Sequence, residues 1–346
     1  MLRKHIMPEA TCKPDFAPVI LAVIPCLNED RYLEQIVHGL IRTCHDMRMR
    51  IVIADGGSKD RSREIAHSLT QNNPNVHFLD NPKKIQSAAI NLAVTQYGAD
   101  TNYVIRIDAH AAYPDDYCRA LIEEAEATQA ASVVVGMNTI GKSRLQTIIA
   151  TTQNSKLGNG GSSHRNAGKA GQWVDHGHHA LIRTQAFKSI GGYDESFAYN
   201  EDAEFDMRLR QAGLPIWLTR KTALTYYPRS SLQTLFRQYY NFGFGRAQNI
   251  RKHSSIPKLR QMAPAAVVPA ICLALGTPFF WPAAIPLSLW LLICIGAGIM
   301  LGFKSRDPLV ILSGPIAMLM HLGWSLGFWK NIIQNDSGIR NEPSLA

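Results

Sequence analysis

The chain has 346 residues and a formal net charge of +9, long enough for one α/β domain of roughly 200–250 residues and a smaller appendage. Its six cysteines (Cys12, Cys26, Cys44, Cys118, Cys272, Cys294) form no CxxC pair, which excludes a disulfide framework or a zinc ribbon. A mean hydropathy near zero hides a split: apolar and charged stretches alternate up to about Gln261, whereas Met262 to Phe303 carries no charge at all.

Such an excess of positive charge suits nucleic acid or an anionic membrane surface. Much of it sits just before the uncharged run, in Arg246, Arg251, Lys252, Lys258 and Arg260. Basic flanks of a span favour the cytoplasmic side, so the expected partner is membrane lipid and not nucleic acid. One span needs about 20 apolar residues. Met262–Phe303 therefore has room for two, and Leu309–Phe328, whose one titratable residue is His321, is a third apolar stretch that crosses or lies flat. At the other end, Arg3-Lys4-His5 precedes a polar segment, and the apolar run Val19–Leu27 ends in Asn28-Glu29. That run reads as a buried strand and not as a secretory core, which leaves the large domain on the cytoplasmic face of the membrane.

In chain order, Val19–Ile24 is a strand, and Leu33, Ile36, Val37 and Leu40 recur at helical spacing with Asn28 as the expected cap. Ile51–Ala54 is a second strand, broken by Asp55-Gly-Gly-Ser58, and Ile65 and Leu69 mark a second helix. Val76–Leu79, a helix through Ala88–Val94, Val104–Ile107 and Ser132–Met137 continue the alternation. Strands alternating with helices imply a doubly wound, mostly parallel sheet with ligands at the carboxyl ends of its strands. Asn28, Asp55 and Asp108 all fall at such ends. Asn154–Gln172, rich in Gly, Ser, Asn and basic residues, serves as an active-site loop or a connector. Trp173–Ile182 reads as extended, a helix runs from near Asn200 to Gly213, and aromatic and basic residues interleave from Ser231 to His253, as in a helix at a membrane interface.

Five places carry residues suited to chemistry. Asp108-Ala-His110 ends a strand; in extended geometry residues i and i+2 project to one side, and a carboxylate with an imidazole suits Mg²⁺ or Mn²⁺ also held by diphosphate oxygens. Asp55-Gly-Gly-Ser-Lys-Asp60 and Pro25-Cys-Leu-Asn-Glu29 are strand-end turns that grip a base or ribose, or are plain βα turns in which Asp60 caps the next helix. Glu201-Asp202 opens a helix. Its acids either complement the helix dipole or make Asp202 a general base kept ionised by the positive helix end. His176-Gly-His178-His179 invites a zinc reading, but adjacent strand residues face opposite ways, so substrate contact or a packed strand is the expectation.

Taken in this order over roughly Val19 to Arg246, these motifs resemble glycosyltransferase family 2, with its GT-A fold; Asp108-Ala-His110 stands where the family has DxD. Asp175-His-Gly-His-His-Ala180, Gly191-Gly-Tyr-Asp-Glu-Ser-Phe197, Asn200-Glu-Asp-Ala-Glu-Phe-Asp206 and Gln238-Tyr-Tyr-Asn-Phe-Gly-Phe-Gly-Arg246 are similar to the succinoglycan-type β-1,3-glucosyltransferases of bacterial exopolysaccharide synthesis. The resemblance implies UDP-glucose as donor and a polyprenyl-diphosphate-linked saccharide as acceptor, at the bacterial inner membrane. It implies Pro25, Asn28, Glu29, Asp55 and Asp108 around the nucleotide sugar, with Asp55 at uracil and Glu29 against the nucleoside. It further implies that Asp108 and His110 hold Mg²⁺ or Mn²⁺ and that Asp202 is the base of an inverting displacement. His178, Glu201, Arg237, Gln238 and Arg246 contact the acceptor or its diphosphate. His110 departs from DxD, and no QxxRW follows Asp202, which favours a single addition over polymerisation. The competing expectations are another sugar, transfer onto polyprenyl phosphate, or an inactive assembly scaffold. The expected division is a tail 1–17, a GT-A domain 18–230, an interfacial segment 231–261, membrane helices 262–330 and a tail 331–346.

Overall fold

The structure is a computed structural model that describes residues 17–160, 170–255 and 259–336. The tail up to residue 16 with Cys12, the middle of the Asn154–Gln172 stretch, Lys258 and the chain from 337 onward lie outside the described residues, as does the side chain of Arg260.

Among the described residues, eight strands form one sheet: β1 (Val19–Cys26), β2 (Arg48–Asp55), β3 (Val76–Asp80), β4 (Tyr103–Arg106), β5 (Ser132–Thr139), β6 (Gln172–Trp173), β7 (His178–Arg183) and β8 (Ile216–Tyr226). Their order is β3-β2-β1-β4-β7-β5-β8-β6. β3, β2, β1 and β4 run parallel, β7 enters antiparallel between β4 and β5, and β8 returns parallel to β5. β1 is apolar throughout because both of its faces are covered. Ile20, Ala22 and Ile24 point to a core shared with Leu33, Val37 and Leu40 of α1 (Leu33–Thr43), Ala66 and Leu69 of α2 (Ser62–Asn72) and Leu121 of α4 (Tyr117–Thr128). Leu21 and Val23 point the other way, toward Ile90 and Val94 of α3 (Gln86–Tyr97), Phe187 of α7 (Thr184–Ser189) and Phe205 and Leu209 of α8 (Glu201–Gln211). The period of two along the strand and the helical spacing of the apolar residues thus build the sheet's two faces.

The register aligns the strand ends that matter. Cys26 lies beside Asp55, Asp55 beside Asp80, and Val23 beside Arg106. Two sequence expectations change. α1 is not capped by Asn28: it begins after Tyr32 without a side-chain cap, and Asn28 adopts φ +58° in the preceding loop. The extended stretch Trp173–Ile182 is two strands separated by Val174–Gly177, β6 on the sheet edge and β7 inside it.

Past the sheet, α5 (Arg144–Asn154) and α6 (Lys156–Asn159) face a C-terminal helical layer of α9 (Leu232–Lys252), α10 (Leu259–Ala265), α11 (Val267–Ala274), α12 (Ile285–Ser305) and α13 (Ser313–Asp336). The uncharged run was expected to make two spans. It makes one long helix, α12, after two short ones, Pro278 and Pro282 falling between α11 and α12. Among the described residues, the stretches long and apolar enough to cross a membrane are Trp281–Ser305 and Pro308–Gln334.

α9 and α13 touch backbone to backbone. A Cβ added to Gly243 would fall 1.9 Å from the Trp324 carbonyl oxygen, and one on Gly327 1.9 Å from that of Tyr240. Ile148 and Ile149 of α5, Leu235 of α9, and Ile316 and Met320 of α13 form a common apolar cluster. The helical layer is therefore built onto the sheet domain, not hung from it.

Candidate active site

The loops after β1 and β2 are laced together. The Asn28 N–H donates to Ser58 Oγ (2.9 Å), and Asn28 Oδ1 accepts from the Lys59 N–H (2.8 Å). The Glu29 N–H donates to Ser62 Oγ (2.8 Å), and the Asp30 N–H to Asp60 (3.1 Å). Asp55 closes its own turn: it is 1% exposed, accepts from the Gly57 and Ser58 N–H groups, and pairs with Arg63 at 2.7 Å. Arg63 also reaches Asp80 at 2.8 Å. Asp55, expected at uracil, is anchored through Oδ2 by Gly57, Ser58 and Arg63, while Oδ1 takes only a longer branch of the Ser58 N–H bond (3.3 Å). Pro25 lies at the end of β1, opposite Ala54.

Next to these loops lies a buried charge cluster centred on Arg106, which is 7% exposed. Its guanidinium donates to Asp202 Oδ1 at 2.7 Å. Its Nε lies 3.3 Å from Asp108 Oδ1, an ion-pair contact without hydrogen-bond alignment. His178 packs on the same guanidinium at 3.3 Å and places Nε2 3.5 Å from Asp108 Oδ2. Gln86, the first residue of α3, also donates to Asp108 (3.2 Å), and the Asp108 N–H donates to the Tyr113 hydroxyl. Burial works against charge on Asp108, but Arg106 and His178 outweigh it and hold the carboxyl well below the usual carboxylate range. For Asp202, burial is outweighed by Arg106, His179 and His178, and its pKa is likewise lowered. Burial and the adjacent Asp202 charge push Glu201 up to about 7. One buried guanidinium thus joins two ionised carboxylates that lie far apart in the chain.

Asp108-Ala-His110 departs from its expected shape. β4 ends at Arg106, and Asp108 to His110 form a turn, so the two side chains are not strand neighbours on one side. Its turn is pinned instead by the Ala112–Thr225 bridge to β8. His110 is half exposed, with Nδ1 3.0 Å from Glu29 Oε1. This hydrogen bond, ahead of the opposing effect of burial, raises the His110 pKa.

A sequence model described as "Glycosyl transferase family 2" matches residues 21–191. The succinoglycan biosynthesis protein ExoA of Rhizobium meliloti (strain 1021) is 53% identical over 313 residues, covering 90% of this chain and 94% of that protein. The chain belongs to glycosyltransferase family 2. A second relative is 25% identical over 328 residues, covering 92% of this chain and 98% of its own: the dolichyl N-acetyl-alpha-D-glucosaminyl phosphate 3-beta-D-2,3-diacetamido-2,3-dideoxy-beta-D-glucuronosyltransferase of Methanococcus voltae. Among solved structures, the mannosyltransferase PcManGT from Pyrobaculum calidifontis, in complex with GDP-Man and Mn²⁺, superposes with a TM-score of 0.60 at 15% identity, covering 94% of this chain and 90% of that one. The fold is that of the GT-A glycosyltransferases.

Among the described residues no group of three or more His, Cys, Asp or Glu side chains gathers to hold a metal ion, so in this family 2 enzyme Asp108 and His110 suit a divalent cation as two donors only, the remaining positions being left to other oxygens. Asp108 offers an ionised carboxylate. The Glu29–His110 contact is the kind that orients a metal-binding imidazole, since a proton on Nδ1 toward a carboxylate leaves the Nε2 lone pair to ligate. Glu29, expected against the nucleoside, thus faces His110. His178, expected at the acceptor, is bound up with Arg106 and Asp108.

On α9, Gln238 donates to the Tyr226 hydroxyl at 2.9 Å, while its Oε1 is buried without a partner among the described residues. Arg237 and Arg246, expected to share a diphosphate, stand nine residues apart on one helix. At about 100° per residue they point to opposite sides, so they do not converge on one group. Sequence reasoning missed Arg106, Gln86 and all of β8, and it named His179 and Asp206 only within longer motifs without pairing them. Arg106 left a signal: a lone charge inside the apolar run Tyr103–Ile107 is a buried charge awaiting partners.

Proposed function

We propose that this family 2 enzyme adds one hexose, glucose from UDP-glucose in β-1,3 linkage with inversion, to a lipid-diphosphate-linked saccharide during bacterial exopolysaccharide synthesis. The observation that carries the reading is the Asp202–Arg106–Asp108 arrangement, in which an ionised base and an ionised, cation-suited carboxylate share one guanidinium. Arg106 and His179 both contact Asp202 Oδ1, at 2.7 and 3.3 Å. Oδ2 has no partner among the described residues and is the atom proposed to take the acceptor's proton. A carboxylate of lowered pKa is a weak base. It suffices here because the hydroxyl becomes acidic only as its oxygen bonds to the anomeric carbon.

Asp108 and His110 would hold Mg²⁺ or Mn²⁺, which when bound supplies positive charge to the departing diphosphate. Asn28, Glu29, Asp55 and Pro25 shape the nucleotide side, and Gln238 and Glu201 the acceptor side. The name of the Rhizobium meliloti relative supports exopolysaccharide synthesis. That of the Methanococcus voltae relative carries a 3-beta transfer and a dolichyl phosphate-borne sugar, which makes a lipid monophosphate-linked acceptor the second reading.

For the membrane, the proposed assignment is residues 18–230 at the cytoplasmic face, 231–261 as a bridging helix segment and 262–330 as the anchor. α12 carries the lipid contact: only 11% of its most apolar window is buried, against 44% for the α13 stretch. The turn before it exposes Phe279 (94%), Phe280 (64%) and Trp281 (73%), an apolar patch that suits a bilayer. Membranes of the producing cell supplied with a panel of radiolabelled nucleotide sugars test the donor: label should enter extractable lipid from UDP-glucose. Asp202→Asn should abolish that transfer while UDP binding in Mn²⁺ persists. Normal transfer by the variant refutes the base.

A further inference from the structure

The histidine stretch after Asp175 contains two imidazoles, His176 and His179, that both meet Asp206. His179 is fully buried on β7. Its Nε2 is hydrogen-bonded to Asp206 Oδ1 (2.7 Å) and its Nδ1 to the Tyr193 hydroxyl (2.5 Å), and the same Nδ1 lies 3.3 Å from Asp202 Oδ1, an ion-pair contact without hydrogen-bond alignment. The second oxygen of Asp206 accepts from the Gly177 N–H (3.2 Å) and faces His176 Nδ1 (2.7 Å). Asp206 follows Asp202 by four residues on α8, so both point from one helix face toward β7.

We propose that His179, fixed by Asp206 and Tyr193, is a positioning residue whose Nδ1, at ion-pair distance from Asp202 Oδ1, orients that carboxylate so that Oδ2 faces the acceptor hydroxyl. Asp206 acts through it and touches no substrate. The proposal rests on Asp202 being the base. Burial disfavours charge on His179, but Asp206 and Asp202 on either side outweigh it and raise its pKa. Burial likewise opposes charge on Asp206, and His179 and His176 bring it down to about 2. The imidazole is thereby the second group, besides Arg106, whose position favours the ionised form of Asp202. The other charged or titratable groups facing Asp202 are Arg106 on β4, His178 on β7, Glu201 on α8 and the Tyr193 hydroxyl; the Phe205 ring closes the far side of His179 at 5.3 Å.

A buried His–Asp pair that merely staples β7 to α8 would change the folded fraction when cut. A positioning pair changes the base. The test uses the full chain in detergent, with UDP and Mn²⁺ as the binding probe. Transfer is read as label from UDP-[¹⁴C]glucose entering lipid of added membranes, at saturating donor across pH. Asp206→Asn should leave UDP affinity within about twofold, lower the saturated rate by about 10- to 100-fold, and move the acid limb of the rate to higher pH, because Asp202 loses a cationic neighbour. Tyr193→Phe is a mild change that keeps the fold should Asp206→Asn lose it. It leaves Asp202 as the one acceptor for His179 Nδ1–H and should move the acid limb to lower pH. An unmoved limb in whichever of these variants folds, or an upward shift in Tyr193→Phe, overturns the proposal. Transfer surviving in Asp202→Asn overturns the base assignment; transfer lost there with unmoved limbs overturns the His179 role alone.

Discussion

Replacing Arg106 with methionine keeps the volume of the side chain and removes the charge that Asp108 and Asp202 share. At 2.7 and 3.3 Å, each ion pair has a gross attraction of about 5–6 kcal/mol at an effective dielectric of about 20. Desolvation offsets part of this, and removing one partner of a buried pair typically costs about 3–5 kcal/mol, because the charge left behind has no compensation. For a domain of this size each kcal/mol lowers the melting temperature by about 2–4 °C, so Arg106→Met should melt roughly 6–20 °C below the parent at neutral pH.

The sign with pH follows from the lowered pKa of both carboxylates. Their stabilising effect is present above the unfolded pKa of about 4 and is lost as pH falls toward the folded values. The gap between parent and variant should therefore be widest above about pH 5 and narrow below about pH 4. Melting curves of detergent-solubilised protein at several pH values measure it. A variant that melts with the parent at pH 7.5, or a gap of constant width, would show that Arg106 does not neutralise these two groups.

Gly243→Ala should be costly, since its methyl would meet the Trp324 carbonyl and neither backbone can swing aside. An overpacking penalty of about 1–3 kcal/mol should appear as a lower melting temperature, whereas Gly296→Ala on α12, where nothing lies within 4 Å, should leave it unchanged. Glu201→Gln should raise the melting temperature at pH 8 and leave it unaltered at pH 4.5. The parent's raised pKa of about 7 means that the folded state favours the protonated acid, and stability drains away as pH rises through that value. A melting gap that shrinks with rising pH would contradict the burial of that acid beside Asp202.

Much of the first half could be read directly from residue order. Val19–Ile24, Ile51–Ala54 and Val76–Leu79 are strands because continuous apolar runs need cover on both faces, and local spacing alone reveals them. The same local logic put Asn28, Asp55 and Asp108 at the carboxyl ends of parallel strands. Asn28 nonetheless caps no helix; it stitches two loops together across 31 residues, a contact that no local signal encodes. β8 escaped notice because its alternation is broken by Thr219, Arg220 and Lys221, and β7 could not be recognised as antiparallel until its neighbours β4 and β5 were known.

Composition, the charge-free run and the ordered motifs thus determined the family, the α/β architecture and the position of the acidic residues at strand and helix ends. Only the tertiary structure decided what those acids do to one another. Arg106 meets Asp202 across 96 residues and Asn91 meets Glu195 across 104. The ionisation of a buried carboxylate is set by cations within a few ångströms in space, whatever their distance along the chain. For the same reason the packing of α9 on α13 was hidden: glycine is chosen there for the backbone that passes beside it, and that backbone belongs to a different part of the sequence.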